Sequence, residues 1–479
     1  MASLIESNNQ TPASGKFFGT TLVILTVVEL LSLIGYLIPT VGQVVFWLIL
    51  MATLIAALTK LEYGLSILLA ELFVGSKGYL FAANLFNVTI SIRLALFLIV
   101  MATWLWWRIK NHDYKIIRGK IILNYLALFC FIGLGLVLGI INNNLGNVFF
   151  DFNAWVYFAL IFVFIDVAQT EFKKKVLVIL AAATTLLSLK TVLILTVFSR
   201  GLDLIGGPLY KWIRDTGVGE ITYVSGTIFR VFFQSQIYIL IGFLVFLTIL
   251  LTKKFSGKVK ILIGVYLYCT SLAIIISQSR SFWLGGLTAL AGLMILLWWK
   301  FGFRFKKTSL LILILGLTLI SQIFLIQIIT GNFSGNPVAS RFKDLQGDPG
   351  GNSRLNQLRP LADSIFQRII IGYGFGKELT YISSDPRILK NHPGGVYTTY
   401  AFEWGYLDIW LKIGLLGLIA YLVLIVRIAK DLWQKKGAPF FGLLLGLIAL
   451  LVTNIFSPYL NHPLGIGYLL LISTILPVI

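Results

Sequence analysis

GNFSGNPVASRFKDLQGDPGGNSRLNQLRPLADSIFQRIIIGYGFGKELTYISSDPRILKNHPGGVYTTYAFEW, residues 331–404, is the one long polar interval in this chain. Apolar runs separated by short connectors precede it, and three more follow. The chain has 479 residues, 58% hydrophobic and 12% charged, with a mean hydropathy of +0.91. A soluble domain carries about a quarter charged residues, so the apolar excess must face lipid. Open sheet cannot span a bilayer, and a spanning helix needs about 20 apolar residues. The runs therefore read as helices near 17–38, 43–59, 61–75, 88–107, 120–141, 146–165, 175–198, 229–252, 260–278, 281–299, 308–330, 405–426, 438–456 and 463–479. The expected fold is an all-α polytopic integral membrane protein of about fourteen transmembrane helices, with one large loop containing amphipathic helices. Residues 1–330 would hold the first eleven spans, 331–404 the loop, and 405–479 the last three.

A net charge of +20 in a soluble protein points to nucleic acid. Here the positive-inside rule accounts for it, and no nucleic-acid partner is expected. Alternate connections are basic: Arg108, Lys110, Lys115, Arg118 and Lys120; Lys173, Lys174 and Lys175; Lys253, Lys254, Lys258 and Lys260; Lys300, Arg304, Lys306 and Lys307; and Arg427, Lys430, Lys435 and Lys436. The short intervening connections, such as Asn142-Asn143-Asn144, carry almost no Lys or Arg. Both termini should then be cytoplasmic and the 331–404 loop external. Cys130 and Cys269 lie inside apolar runs and supply neither a disulfide framework nor a metal site. The first apolar run is too long for a signal-peptide core and reads as an uncleaved span.

Charges within or beside the spans need a partner or a purpose, since each costs about 2.5–3.5 kcal/mol even on the lenient insertion scale. Arg280 sits in Ser277-Gln278-Ser279-Arg280-Ser281-Phe282-Trp283, a short turn between two spans, and Arg230 starts the eighth span. Each alone can be an arginine snorkelling to headgroups. Together on one external face they can clamp a pyrophosphate bidentately. For Arg93, Lys190, Glu29, Glu71 and Asp151, internal pairing or snorkelling is the expectation.

Inside the loop, Asn352-Ser353 is expected to cap a helix beginning at Arg354. Leu355, Leu358, Ile365 and Ile369 would form its apolar stripe, Arg354 and Arg368 would share a face, and Pro360 would kink it or start a second helix. Gly372-Tyr373-Gly374-Phe375-Gly376 reads as a sharp, close-packed turn; no strand–helix unit surrounds it to make a dinucleotide site. The helix is either a bland lid or one whose arginines meet an anionic headgroup. His392 and His462 lie in two Asn-His-Pro triplets. No His, Cys or carboxylate cluster has metal-ligand spacing, no P-loop occurs, and no cofactor is expected. Glu403 is either an interfacial carboxylate paired with Lys412 or a loop arginine, or a general base beneath the lid.

These residues resemble the O-antigen ligase and polymerase superfamily. Its Ser-Arg turn is similar to Ser279-Arg280 with Trp283 following, and its span-start arginine to Arg230. Its arginine, amphipathic helix and Gly-aromatic-Gly turn resemble Arg354 through Gly376. The family's loop exit reads His-Asn-x-Tyr-Leu with a Gly-x-x-Gly pair downstream; Tyr406, Leu407, Gly414 and Gly417 fall in that register. Glu403 and Trp404 occupy the histidine and asparagine positions, and His392 lies too early to align. The resemblance covers roughly residues 220–425 by motif.

It implies an inverting, metal-independent sugar transfer from an undecaprenyl-pyrophosphate-linked oligosaccharide to an acceptor glycan, outside the bacterial cytoplasmic membrane. Arg230 and Arg280 would hold the pyrophosphate and Glu403 would deprotonate the acceptor, with His392 as the alternative base. Arg354, Arg359, Arg368, His392 and Tyr406 are the candidate substrate-binding residues. Besides membrane lipids, a chain-length regulator is a candidate partner. A polymerase is preferred to a ligase because about fourteen spans resemble the polymerases better than the ligases' usual twelve. A flippase for the same lipid-linked sugars is the alternative from another class, for which two halves with matching broken helices are expected.

Overall fold

The structure, a computed structural model, describes residues 12–85, 88–112, 120–167, 170–303, 305–333, 349–435 and 437–475. Lys115, Arg118, Arg304 and Lys436 of the basic connections, and positions 334–348 of the polar interval, lie outside the described residues.

Among these residues, nine helices are long and apolar enough to cross a membrane: 15–37, 39–59, 92–110, 121–142, 171–199, 257–276, 280–301, 305–330 and 405–434. The bent pair Leu145–Phe152 and Trp155–Val167 makes a tenth if it is one span, and Gln236–Thr252, Ala438–Thr453 and Pro463–Thr474 are shorter apolar helices. This is a polytopic membrane architecture whose candidate spans are all helices, with three two-stranded hairpins beside them among the described residues. Val23, Leu48, Leu123, Ile261 and Ile320 stand exposed on the long helices, the faces that lipid covers. The helix Thr170–Ser199 is instead largely buried.

The chain forms two compact units, 1–114 with 162–338 and 436–449, and 115–161 with 339–435 and 450–479. In the first, two span ends expected to be helical are strands. Val88–Ser91 pairs antiparallel with Ala82–Leu85, and the helix Ile92–Lys110 begins only after Ser91, whose Oγ accepts from the Leu94 amide at 3.3 Å. Ile228–Phe233 pairs with Gly219–Ser225 around Gly226 at φ +56°, with Thr222 opposite Arg230. Arg230 therefore lies on a strand, not at a helix start; the helix begins at Gln236. An apolar run gives hydropathy, not period, and Ile228, Val231 and Phe233 are the buried positions of a twisted, β-branched and aromatic strand.

Arg93, Glu71, Lys190 and Glu29, the buried charges of this unit's spans, are paired. Arg93 forks onto Glu71 at 2.8 and 3.1 Å and donates to the Ser76 carbonyl at 2.6 Å. Lys190 meets Glu29 at 2.5 Å and sits 4.7 and 4.9 Å from the Trp212 and Phe233 rings.

The second unit is built around a broken helix. Gly405–Gln434 is interrupted at Gly414, with φ 71° and ψ 176°. Breaking a helix leaves carbonyls above and amides below without partners, and residues 369–374 supply them. Tyr373 and Gly374 donate to the carbonyls of Leu411 and Lys412 at 2.8 and 3.1 Å; Leu415 and Leu416 donate to Ile369 and Ile370 at 2.9 and 3.4 Å. The glycine turn continues onto the helix Lys120–Asn142, where Phe375 donates to Gly135 at 3.1 Å and Asn143 Nδ2 reaches the Phe375 carbonyl at 2.8 Å. A Cβ on Gly374 would lie 2.2 Å from the Gly139 nitrogen. The expected close-packed turn is there.

The loop helix runs Pro349–Gln367 with Pro360 inside it. Asn352 and Ser353 consequently lie within it, not at its cap, and Arg368 lies beyond its end, sharing no helical face with Arg354. Its buried stripe is Ser353, Gln357, Leu361 and Ile365, while Leu355 is exposed. The stripe departs from expectation because half of it is polar.

Candidate functional site

In the first unit the hairpin lies on the Ser-Arg turn. Between the helices Gly257–Ile276 and Arg280–Phe301, Ser277, Gln278 and Ser279 are all buried, and Gln278 holds φ +46°. A non-glycine residue in that region costs about 1–2 kcal/mol, so the surroundings must fix it. Ser277 Oγ donates to the Ile274 carbonyl at 2.6 Å and accepts from the Ser279 amide at 3.3 Å; Trp283 Nε1 donates to Ile274 at 3.2 Å. From the strand, Arg230 Nε donates to the Ser277 carbonyl at 3.0 Å. Its guanidinium lies 4.7 Å from the Phe232 ring, which packs 5.6 Å from Phe282. Arg230 and Arg280 are thus brought to one turn. The strand's exit is clasped: the Ser76 amide donates to Ser235 Oγ at 2.8 Å and the Ser235 amide to Ser76 Oγ at 3.2 Å.

In the second unit Glu403 is paired with a loop arginine, Arg354, and not with Lys412. The Glu403 amide donates to Gln357 Oε1 at 3.1 Å, and Trp404 Nε1 to the Arg354 carbonyl at 2.8 Å. Tyr381 stands beside this group. Burial pushes its hydroxyl above the ordinary phenol range; a Gln357 hydrogen bond opposes the shift and the Glu403 charge adds to it. Tyr381 is therefore a neutral hydroxyl at physiological pH.

The other candidates are dispersed. Arg359 is exposed, 3.9 Å from Asp363 one turn on. Arg368 stacks 4.7 Å over Tyr373. Tyr406 spends its hydroxyl on the Leu451 carbonyl at 2.9 Å. His392 is exposed, and its backbone closes the turn to Gly395. His462 Nδ1 accepts from the Leu464 amide at 3.3 Å, at the start of the helix Pro463–Ile475.

Lys412 belongs to a buried cluster, of which the sequence marks Asp151 as a charge out of place and Lys412 as a candidate partner of Glu403. It bridges Asp151 at 2.6 Å and Asp408 at 2.7 Å. Asn461 Nδ2 donates to Asp408, and Asp151 accepts from the Gly376 amide at 2.8 Å. The i, i+4 spacing of Asp408 and Lys412 was a legible signal. Asn461 was hidden in a triplet whose histidine drew attention. Gln357 and Tyr381 carried no signal. No group of three or more His, Cys, Asp or Glu able to hold a metal ion occurs among the described residues.

Residues 265–422 match the model of the O-antigen ligase family. The matched segment holds Arg280, the loop helix, the glycine turn, Glu403 and the broken helix through Gly417, in agreement with the resemblance carried by the motifs; Arg230 precedes it. No curated protein matches the chain, and no solved structure does.

Proposed function

We propose that this O-antigen ligase-type membrane protein is a polymerase of lipid-linked oligosaccharide repeats, working at the external face of a bacterial cytoplasmic membrane. The observation that carries the reading is the laying of Arg230 on the Ser279-Arg280 turn. Two arginines meeting at one fixed turn, Arg230 from the strand and Arg280 from the turn's end, suit a diphosphate, whose oxygens accept paired N–H donors. In this scheme Glu403 takes the proton from an acceptor hydroxyl, and that oxygen attacks the anomeric carbon opposite the leaving group. The bond from the anomeric carbon to pyrophosphate oxygen breaks, and its electron pair leaves with undecaprenyl pyrophosphate. Arg230 and Arg280 stabilise the charge that develops there. Glu403 offers a second carboxylate oxygen besides the one bound to Arg354.

The preference for polymerase over ligase rests on the number of apolar helices: beyond the nine long ones there are the bent pair and three shorter ones. The flippase alternative loses support at the broken helix. Transporters leave such breaks open for an ion or substrate, whereas here the backbone of residues 369–374 occupies the break.

The test is reconstitution of the purified chain with its cognate lipid-linked oligosaccharide, comparing wild type, Arg280→Ala and Glu403→Gln on a gel. A ladder of lengthening glycans, lost in both variants, is the expected result. A single transfer to a lipid or protein acceptor makes the chain a ligase. Full activity in Glu403→Gln removes the general-base role and redirects it to His392. Lipid-linked sugar crossing the bilayer without extension makes it a flippase.

A further inference from the structure

The neighbourhood of Glu403 holds more order than an exposed ion pair needs. The side chains of Arg354 and Glu403 are 36% and 43% exposed, and pairs this open contribute about 0–1 kcal/mol. Yet the pair is held by two further bonds, from the Glu403 amide to Gln357 and from Trp404 Nε1 to the Arg354 carbonyl. The loop helix beneath is tied to the hairpin as well. Ser353 Oγ meets Ser383 Oγ at 3.3 Å and accepts from the Ser384 amide at 2.8 Å, and Asn356 Nδ2 donates to the Ile382 carbonyl at 2.8 Å. Strands Leu379–Ile382 and Val396–Thr399 pair so that Tyr381 and Tyr397 stand directly opposite each other, rings perpendicular and 5.9 Å apart. Both are half-buried, as are Leu379 and Thr399 on the same face, while Ile382 and Val396 take the exposed face.

Fixed hydrogen-bonding groups beside aromatic rings are the usual make-up of a small-ligand site, in which a few polar groups orient a ligand and aromatic faces cover it. A pyranose matches that composition, with hydroxyls at its rim and C–H groups on its faces. We propose that Tyr381 and Tyr397, with the Arg354–Glu403 pair and Gln357, form a saccharide subsite, and that it takes the acceptor sugar. The assignment to acceptor rests on the proposed function and on charge. A carboxylate compensated by one guanidinium leaves the group neutral, which suits an uncharged sugar. A diphosphate brought beside Glu403 would meet a like charge. The base must also lie within hydrogen-bond reach of the hydroxyl it deprotonates, and Glu403 is in this group.

The probe is the repeat-unit oligosaccharide released from the native polysaccharide, freed of lipid and phosphate, and titrated onto the full-length chain in nanodiscs. Saturation-transfer NMR reads which sugar protons face the protein. Wild type should bind it. Tyr397→Leu should weaken binding about fivefold to tenfold, the worth of an aromatic contact, and Tyr397→Phe should stay within about twofold because the ring is kept. Arg280→Ala should bind the free oligosaccharide as wild type does while losing transfer. Equal affinity in Tyr397→Leu and wild type overturns the subsite, as does loss of binding in Arg280→Ala alone. If Tyr397→Leu loses the oligosaccharide while Arg280→Ala keeps full transfer, the subsite stands and the donor assignment fails instead.

Discussion

Replacing Lys412 with methionine tests the buried cluster of the second unit. The side chains of Lys412, Asp151 and Asp408 are 2%, 8% and 1% exposed, and two carboxylates share the single ammonium. Their other donors are the Gly376 amide and Asn461 Nδ2. Methionine keeps the length and apolar stem but removes the charge, leaving two buried carboxylates held by two neutral donors. Removing one partner of a buried ion pair costs about 3–5 kcal/mol, and a lone charge in a span costs about 2.5–3.5 kcal/mol on the insertion scale; the two magnitudes agree. The magnitude is smaller on the other side of the pair. Asp151→Asn or Asp408→Asn takes the cluster from a formal charge of −1 to neutral, keeps an acceptor oxygen, and should cost about 1 kcal/mol, one hydrogen bond's worth. The triple variant Lys412→Met/Asp151→Asn/Asp408→Asn should recover most of the Lys412→Met loss, since replacing a whole buried ionic group is far milder than halving it. The assay is the unfolding midpoint of detergent-purified protein followed by tryptophan fluorescence. The expected order is wild type, the two asparagine variants and the triple, then Lys412→Met well below. An unchanged midpoint in Lys412→Met, or one shared with the asparagine variants, refutes the reasoning.

Three further outcomes follow from the same structure. Arg93→Ala strands Glu71 and the Ser76 carbonyl and should destabilise by about 3–5 kcal/mol, whereas Arg93→Lys keeps the charge and loses the fork, at about 1–2 kcal/mol; equal unfolding midpoints for the two variants would count against the bidentate geometry. Gly374→Ala forces φ +84° on an L-residue and a Cβ against Gly139, for about 2–5 kcal/mol in all, while Gly133→Ala, with nothing within 4 Å, should gain about 0.5–1 kcal/mol of helix propensity; a thermal scan of both separates packing from propensity. Arg230→Lys keeps the charge but loses the Nε bond to Ser277, so kcat/KM for the lipid-linked donor should fall at least about tenfold, and an unchanged value would remove Arg230 from donor binding.

The parts of this molecule that were legible in the sequence are those where one property decides the outcome. Length and hydropathy place the long helices, because lipid imposes a single requirement on every residue of a span. The glycines of 372–376 announce a turn because only glycine tolerates backbone contact that close. Arg93, Glu71, Lys190, Glu29 and Asp151 announce themselves as charges out of place, and each is paired inside the protein. What hydropathy cannot carry is the identity of the partner. Arg93 finds Glu71 and Asp151 finds Lys412 across 22 and 261 residues, and no local pattern encodes such a choice. The same limit hid the strand under Arg230, since Ile228–Phe233 is as apolar as a helix end. It also misplaced the loop-helix stripe, where Ser353 and Gln357 are buried to bond Ser384 and Glu403. Burying polar side chains without partners costs stability, and these are buried where their hydrogen bonds fix the surroundings of Glu403. The positions at which the apolar stripe failed to match the buried face are therefore the positions that order the candidate site.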